Sequence, residues 1–145
     1  MTEAIRSAPV NAAVSLVAAT PAVRDVMKAH QRRFADENGR IVAEGRDMGT
    51  AVFPLAALKV FLKADVSERV RRRVEEMRRK DPHLDPEDVR KALVERDRID
   101  EGRAVDPLVK APDAVVVETT GVTPDKVLEA VMALVRSRIP HDVAG

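Results

Sequence analysis

Residues 40–50 have the sequence RIVAEGRDMGT, and this stretch is among the most informative of the chain. Its apolar part, residues 40–43, predicts a short buried β-strand. Its polar part, residues 45–50, is flanked by glycines and predicts a turn that can bind a small ligand. The stretch therefore predicts a strand that ends in a candidate binding site containing Arg46 and Asp47.

The segments around this stretch alternate between strand and helix patterns. Apolar runs at 58–62 and 114–117 predict two further strands. A helix beginning at Asp65 or Ser67 carries a buried stripe, and the helix that follows Pro21 has four residues that could face the core. The stripe is Val66, Val70, Val74 and Met77, and the four core candidates are Val23, Val26, Met27 and Phe34. This pattern predicts a single α/β domain over 1–145, with a parallel sheet of about three strands flanked by helices and a frayed tail at 139–145.

Composition excludes several kinds of function. The 25 basic and 24 acidic residues nearly balance, which gives no overall field that favours DNA. No cysteine is present, and three scattered histidines do not have the spacing of a metal site, so we identify no protein metal ligands. The sequence has no apolar run long enough for a membrane span and no signal peptide at its start, which predicts a cytoplasmic protein.

A second polar motif occupies residues 95–103, with the sequence ERDRIDEGR. Its Arg96, Asp100 and Arg103 are spaced four and three apart, so a continuing helix would place them on one face. Two arginines and a carboxylate in that arrangement could bind a nucleoside monophosphate. The alternative is a helix ion pair between Arg96 and Asp100 with no function.

A third feature is the basic helix near residues 67–80. Its Arg69, Arg72 and Arg73 lie away from the apolar stripe and could converge on a phosphate chain. The alternative is an ordinary solvated basic face.

Together these segments resemble the C-terminal two-thirds of the bacterial cytidylate kinases, from about Ile5 to Val135. The resemblance implies a partial P-loop kinase fold and transfer of a phosphoryl group from ATP to CMP or dCMP, with ATP and Mg2+ as cofactors. No Gly-Lys dipeptide occurs in the chain, so the P-loop and its central strand are expected to be missing and the cofactor-binding residues are unknown.

The resemblance also implies roles for individual residues. Residues 67–84 correspond to the lid, whose Arg69, Arg72 and Arg73 would act on the donor phosphates. Arg96 and Asp100 would contact the acceptor's sugar, and Arg46 and Arg103 its phosphate. Base selection would be carried out by Ser15, Arg24 and Asp47, since a carboxylate, an arginine and a hydroxyl complement cytosine. Judged singly, these last three could instead be a packing residue, a surface residue and a turn-former.

Three hypotheses about function remain open from the sequence. The chain could be the segment of a cytidylate kinase that supplies the acceptor site and the lid, inactive until an N-terminal P-loop fragment joins it. It could be a nucleotide-binding module without catalysis. It could also be a small protein whose basic helix binds RNA or an acidic protein partner, although the chain has few aromatic residues for base stacking.

Overall fold

A computed structural model describes residues 10, 13–14, 17–79 and 81–139. Helical residues at 10, 13–14 and 17–18 precede helix α1, Pro21–Asn38. A π-helical turn, Met48–Val52, is followed by strand β1, Val60–Lys63, and helix α2, Val66–Arg78. Helix α3, Pro86–Gly102, strand β2, Val115–Glu118, and helix α4, Pro124–Arg138, complete the order.

The chain divides into two compact units. The first is drawn from Met1–Pro54 and Arg96–Val109, and the second from Leu55–Glu95 and Lys110–Gly145. Helix α3 belongs to the second unit up to Glu95 and to the first from Arg96.

Helix α1 begins with Pro21, whose fixed φ suits the first helical position, and ends at Gly39. Gly39 has φ of 70°, and its N–H donates to the Ala35 carbonyl at 2.9 Å. The predicted core face of this helix is wrong, because Val26 and Phe34 are 58% and 59% exposed and Val23 and Met27 are exposed too. The residue that α1 buries is Arg24.

The predicted strand at 40–43 is also wrong. Residues 41–44 have no regular secondary structure, and Val42 is fully exposed. A strand requires a neighbour to satisfy its backbone groups, and in the described part of the chain none pairs with this segment. The sheet accordingly has two described strands, where the sequence predicted about three.

The π-helical turn holds Asp47 at its start. The Asp47 carbonyl accepts hydrogen bonds from the N–H groups of Ala51 and Val52, at 2.9 and 3.2 Å. Arg32 of α1 donates to the carbonyls of the same two residues, at 2.7 and 2.8 Å. Val52 is 2% exposed, so both its backbone and its side chain attach this turn to the interior of the first unit.

The second unit contains the sheet. Strands β1 and β2 are parallel, with Val60 opposite Val115 and Lys63 opposite Glu118. The two predicted strands at 58–62 and 114–117 are therefore present, displaced by one or two residues. Each strand has three consecutive apolar residues before a charged one, and the connection between them contains helices, which is typical of parallel α/β pairing.

The core of the second unit is aliphatic. Val70 and Val74 of α2 pack with Val89 of α3, and Met77 and Leu93 cover this cluster. The predicted stripe is thus confirmed except for Val66, which is 38% exposed at the first turn. Across the described residues, every helix is too short or too polar to serve as a membrane span. The predicted frayed tail lies outside the described residues apart from Ile139.

Candidate functional site

Charged side chains occupy the interior of the first unit. Arg24, Asp47 and Asp100 are 8%, 6% and 3% exposed, and the side chain of Arg103 is 6% exposed. Charged groups are rarely buried unless they are paired or bind a ligand. Together with Arg46 and Arg96, which contact them, these residues form what we call the arginine–aspartate cluster.

Arg24 and Asp47 form a buried ion pair. Arg24 reaches inward from the first turn of α1, and its Nη2 donates to Asp47 Oδ2 at the start of the π-helical turn. Burial lowers the pKa of Arg24, but the hydrogen bond to Asp106 and the negative charge of Asp47 outweigh it, so the pKa is raised. Arg24 therefore stays positively charged.

Asp100 is the second carboxylate of the cluster. Its Oδ2 accepts a hydrogen bond from Arg46 Nε at 3.0 Å, and Arg96 Nε lies 3.8 Å from the same oxygen. The second distance allows an ion pair but exceeds hydrogen-bond length, and Arg96 Nε has no other partner in the described structure. The helical spacing of Arg96 and Asp100 thus brings the two together, which agrees both with the predicted nucleotide site and with the alternative of a helix ion pair.

Arg103 is the least satisfied member of the cluster. Helix α3 ends at Gly102, so Arg103 lies just beyond the helix on which the sequence placed it. Its Nη2 is 3.8 Å from Asp47 Oδ1, and within the described residues neither Nε nor Nη2 has a hydrogen-bond partner. Buried guanidinium donors without partners are costly, and the oxygen atoms of a phosphate or a hydroxyl group could satisfy them.

The charges of the cluster do not cancel. Its four arginines and two aspartates leave a formal excess of two positive charges. A phosphate monoester carries about −1.5 to −2 at pH 7 and offers several acceptor oxygens. The charge of the cluster is therefore complementary to that of a phosphate group. Among the described residues, no set of three or more His, Cys, Asp or Glu side chains is placed to hold a metal ion.

Two charged residues join this site that the sequence did not indicate. Asp106 accepts hydrogen bonds from Arg24 Nε at 2.8 Å and from Lys28 Nζ at 3.0 Å. Asp106-Pro107 is a sequence signal for a turn, and Lys28 is one helical turn from Arg24. Neither signal reveals that the turn returns the carboxylate to α1.

The predicted lid arginines belong to the second unit and are engaged in local contacts. Arg72 Nε donates to Glu68 Oε1 at 2.8 Å, and its other nitrogens donate to the hydroxyl and carbonyl of Thr119. Arg73 Nη1 donates to Glu76 at 2.6 Å. Arg69 is partly buried near the start of α2. The partners of Arg72 and Arg73 are carboxylate, hydroxyl or carbonyl oxygens, which a phosphate oxygen could replace.

Six of the ten sequence-predicted site residues are therefore brought together in the first unit. They are Arg24, Arg46, Asp47, Arg96, Asp100 and Arg103. The other four are Arg69, Arg72 and Arg73 in the second unit and Ser15, which lies outside the described residues.

Comparison with known sequences identifies the family. A family model described as cytidylate kinase matches residues 1–137. The chain belongs to the cytidylate kinase family.

Individual family members are similar over almost the whole chain. The cytidylate kinase of Geobacillus kaustophilus (strain HTA426) is 47% identical over 139 residues, which is 96% of this chain and 62% of the relative. That of Listeria monocytogenes serovar 1/2a is 44% identical with the same coverage. A bifunctional pantoate ligase/cytidylate kinase of Synechococcus sp. (strain WH7803) is 44% identical over 145 residues, 29% of its length. The chain thus spans less than two thirds of the length of these cytidylate kinase relatives.

Proposed function

We propose that this chain supplies the acceptor site and the lid of a (d)CMP kinase, which transfers a phosphoryl group from ATP to CMP or dCMP and gives CDP or dCDP. The observation that carries the proposal is the pair of unsatisfied donors on buried Arg103, in a cluster with two excess positive charges. An acceptor nucleotide brings the phosphate that such donors lack.

Four residues of the cluster are assigned to the phosphate and the sugar of the acceptor nucleotide. Arg103 and Arg46 bind the phosphate, because a guanidinium can hold two phosphate oxygens with parallel hydrogen bonds. Arg96 and Asp100 bind the sugar, with the Asp100 carboxylate accepting from hydroxyl groups. Asp100 has the capacity for this, since Arg46 contacts Oδ2 at 3.0 Å and Arg96 approaches the same atom only to 3.8 Å.

Arg24, Asp47 and Ser15 are assigned to the base. Cytosine presents an exocyclic amine beside two acceptors, so a carboxylate and an arginine complement it. Asp47 Oδ2 already accepts from Arg24, whereas Arg103 Nη2 lies 3.8 Å from Oδ1, beyond hydrogen-bond length. Oδ1 can therefore accept from the cytosine amine. Uracil has a carbonyl at that position, which would face a carboxylate and be repelled.

The donor side is assigned to the lid. Arg69, Arg72 and Arg73 neutralise the charge that spreads over the transferred phosphoryl group, which is the main task in this type of catalysis. To do so, Arg72 and Arg73 exchange Glu68 and Glu76 for phosphate oxygens. Mg2+, if bound mainly by the ATP phosphates, would supply further charge neutralisation. A P-loop contributed by residues outside these 145 holds the donor phosphates.

Calorimetric titration of the 145-residue chain with CMP, dCMP and UMP tests the acceptor site without requiring turnover. We expect CMP and dCMP to bind and UMP to bind at least about tenfold more weakly, the size of one lost or repulsive polar contact. Equal affinity for CMP and UMP would contradict the assignment of the base site. Failure of all three nucleotides to bind would contradict the proposed function as a whole.

A further inference from the structure

Asp106 has an unusual backbone conformation. Its φ is 49°, and among the described residues it is the one non-glycine residue with a positive φ. This left-handed conformation is unfavourable for a residue with a side chain, although aspartate tolerates it better than most. A conformation of this kind persists where surrounding contacts enforce it.

The contacts around Asp106 supply that enforcement. The Asp106 carboxylate is 19% exposed, and its Oδ2 accepts from both Arg24 Nε and Lys28 Nζ. Burial raises the pKa of Asp106, but the two hydrogen bonds and the two positive charges lower it by more. The net effect is a lowered pKa, so the carboxylate is ionised at neutral pH. The carboxylate therefore connects the turn after α3 to two successive turns of α1.

The nitrogens of Arg24 are divided among three acceptors. Nε donates to Asp106 at 2.8 Å, Nη2 donates to Asp47, and Nη1 is 3.4 Å from the Ala18 carbonyl. A guanidinium is planar, so fixing Nε and Nη2 fixes the plane and the direction of the remaining N–H groups. Asp106 is thus one of two carboxylates that determine where Arg24 points.

We infer that Asp106 is a positioning residue for base recognition: it holds Arg24 in the orientation that favours cytosine over uracil, without contacting the nucleotide itself. The inference rests on the proposed function, in which Arg24 faces the base. Cytosine offers a ring nitrogen acceptor to an arginine, whereas uracil offers an N–H at that ring position. A correctly oriented guanidinium therefore favours cytosine, and one that can rotate loses this preference.

Two substitutions of Asp106 distinguish the effect of its carboxylate from the effect of its backbone conformation. Asp106→Gly removes the carboxylate but adopts a positive φ without steric cost. Asp106→Asn keeps the size, the tolerance for this φ and an acceptor oxygen for Arg24 Nε, and removes only the charge. Asp25→Ala is a matched control, because the Asp25 side chain is 74% exposed and its carboxylate contacts Lys28, at 3.3 Å, as the Asp106 carboxylate does.

The readout is the ratio of the UMP and CMP dissociation constants of the full chain, measured by calorimetry beside a thermal melt. We expect Asp106→Gly to weaken CMP binding about tenfold and to reduce the ratio, with Asp106→Asn intermediate and Asp25→Ala unchanged. A purely structural role would lower the melting temperature and weaken both nucleotides equally, leaving the ratio unchanged.

The outcomes distinguish this inference from the proposed function. If the unaltered chain prefers CMP and both Asp106 variants keep that preference, the inference is overturned and the proposed function stands. If the unaltered chain does not bind CMP, both are overturned. If Asp106→Gly does not fold, the ratio measured for Asp106→Asn decides, and an unchanged ratio overturns the inference.

Discussion

Replacing Arg103 with methionine tests the proposed phosphate site. Methionine retains much of the side-chain volume and removes the guanidinium, so packing is disturbed little. In the free chain Arg103 Nε and Nη2 have no hydrogen-bond partner among the described residues, and the nearest carboxylate oxygen is 3.8 Å away. A bound phosphate would satisfy both donors.

The expected loss follows from those two donors. A hydrogen bond to a charged group contributes about 1.5–3 kcal/mol, and on the proposed function Arg46 would remain as a second phosphate ligand. We therefore expect CMP binding to weaken by about 2–4 kcal/mol, or roughly thirtyfold to a thousandfold in dissociation constant. Cytidine, which lacks the phosphate, should bind the variant and the unaltered chain equally well.

The same substitution should change stability little. Asp47 keeps its hydrogen bond from Arg24, so the variant leaves no carboxylate without a cation. Removing a buried charge whose donors lack partners also relieves a desolvation penalty. Calorimetric titration and thermal melts of Arg103→Met, with Arg33→Met on the exposed surface of α1 as control, measure both effects. Unchanged CMP affinity with a lowered melting temperature would refute the reasoning and make Arg103 a structural residue.

Three further outcomes are expected. The 145-residue chain alone should show no ATP-dependent phosphorylation of CMP above background in a coupled ADP assay, and adding a P-loop segment should restore it; robust turnover by the chain alone would exclude the need for that loop. The hydrogen bond from Arg71 lowers the pKa of Glu68 from 4.5 to about 2; burial opposes this shift and Arg72 adds to it. The ionised Glu68 carboxylate therefore contributes its full stabilisation above about pH 4.5, and this stabilisation is lost as the pH falls to 2. As the pH falls from 4.5 to 2, the melting temperature of Glu68→Gln should therefore approach that of the unaltered chain. A difference in melting temperature that does not change with pH would contradict the ion pairs of Glu68 with Arg71 and Arg72. Val74→Ala should lower the free energy of unfolding by roughly 1.5–3 kcal/mol in chemical denaturation, while Val94→Ala, at a half-exposed position, should change it much less.

Helical periodicity predicted the buried residues correctly where another helix of the described structure packs against the apolar face. Val70 and Val74 are buried as expected because α3 supplies Val89 against them. The same reasoning failed for Val26 and Phe34 of α1. Periodicity states which residues share a face, but it does not state whether another element covers that face. The strand predicted at 40–43 failed for a similar reason, since a β pattern forms a strand only when a neighbour pairs with it.

The candidate site was predictable to a different degree for each residue. The four-residue spacing of Arg96 and Asp100 predicts their contact from helix geometry alone. Arg24 and Asp47 were proposed together through resemblance to the cytidylate kinases, because no local rule joins residues on separate elements. Asp106 was missed because its role depends on a left-handed turn that returns the chain to α1. Sequence patterns report periodicity and turn positions, but they do not report the direction in which a turn leads.

The two units are stabilised by different kinds of interaction, and this difference bears on function. Among the described residues the second unit buries Val70, Val74, Val89 and Ala111, whereas Val52 is the one buried hydrophobic residue of the first. The interior of the first unit consists largely of ion pairs, which stabilise a fold weakly because burial of each charge carries a desolvation penalty. A ligand that supplies the missing negative charge satisfies donors that the chain alone leaves unpaired. On the proposed function, binding of the acceptor phosphate therefore stabilises the first unit as well as positioning the substrate, since any ligand that binds only the folded state shifts the folding equilibrium toward it.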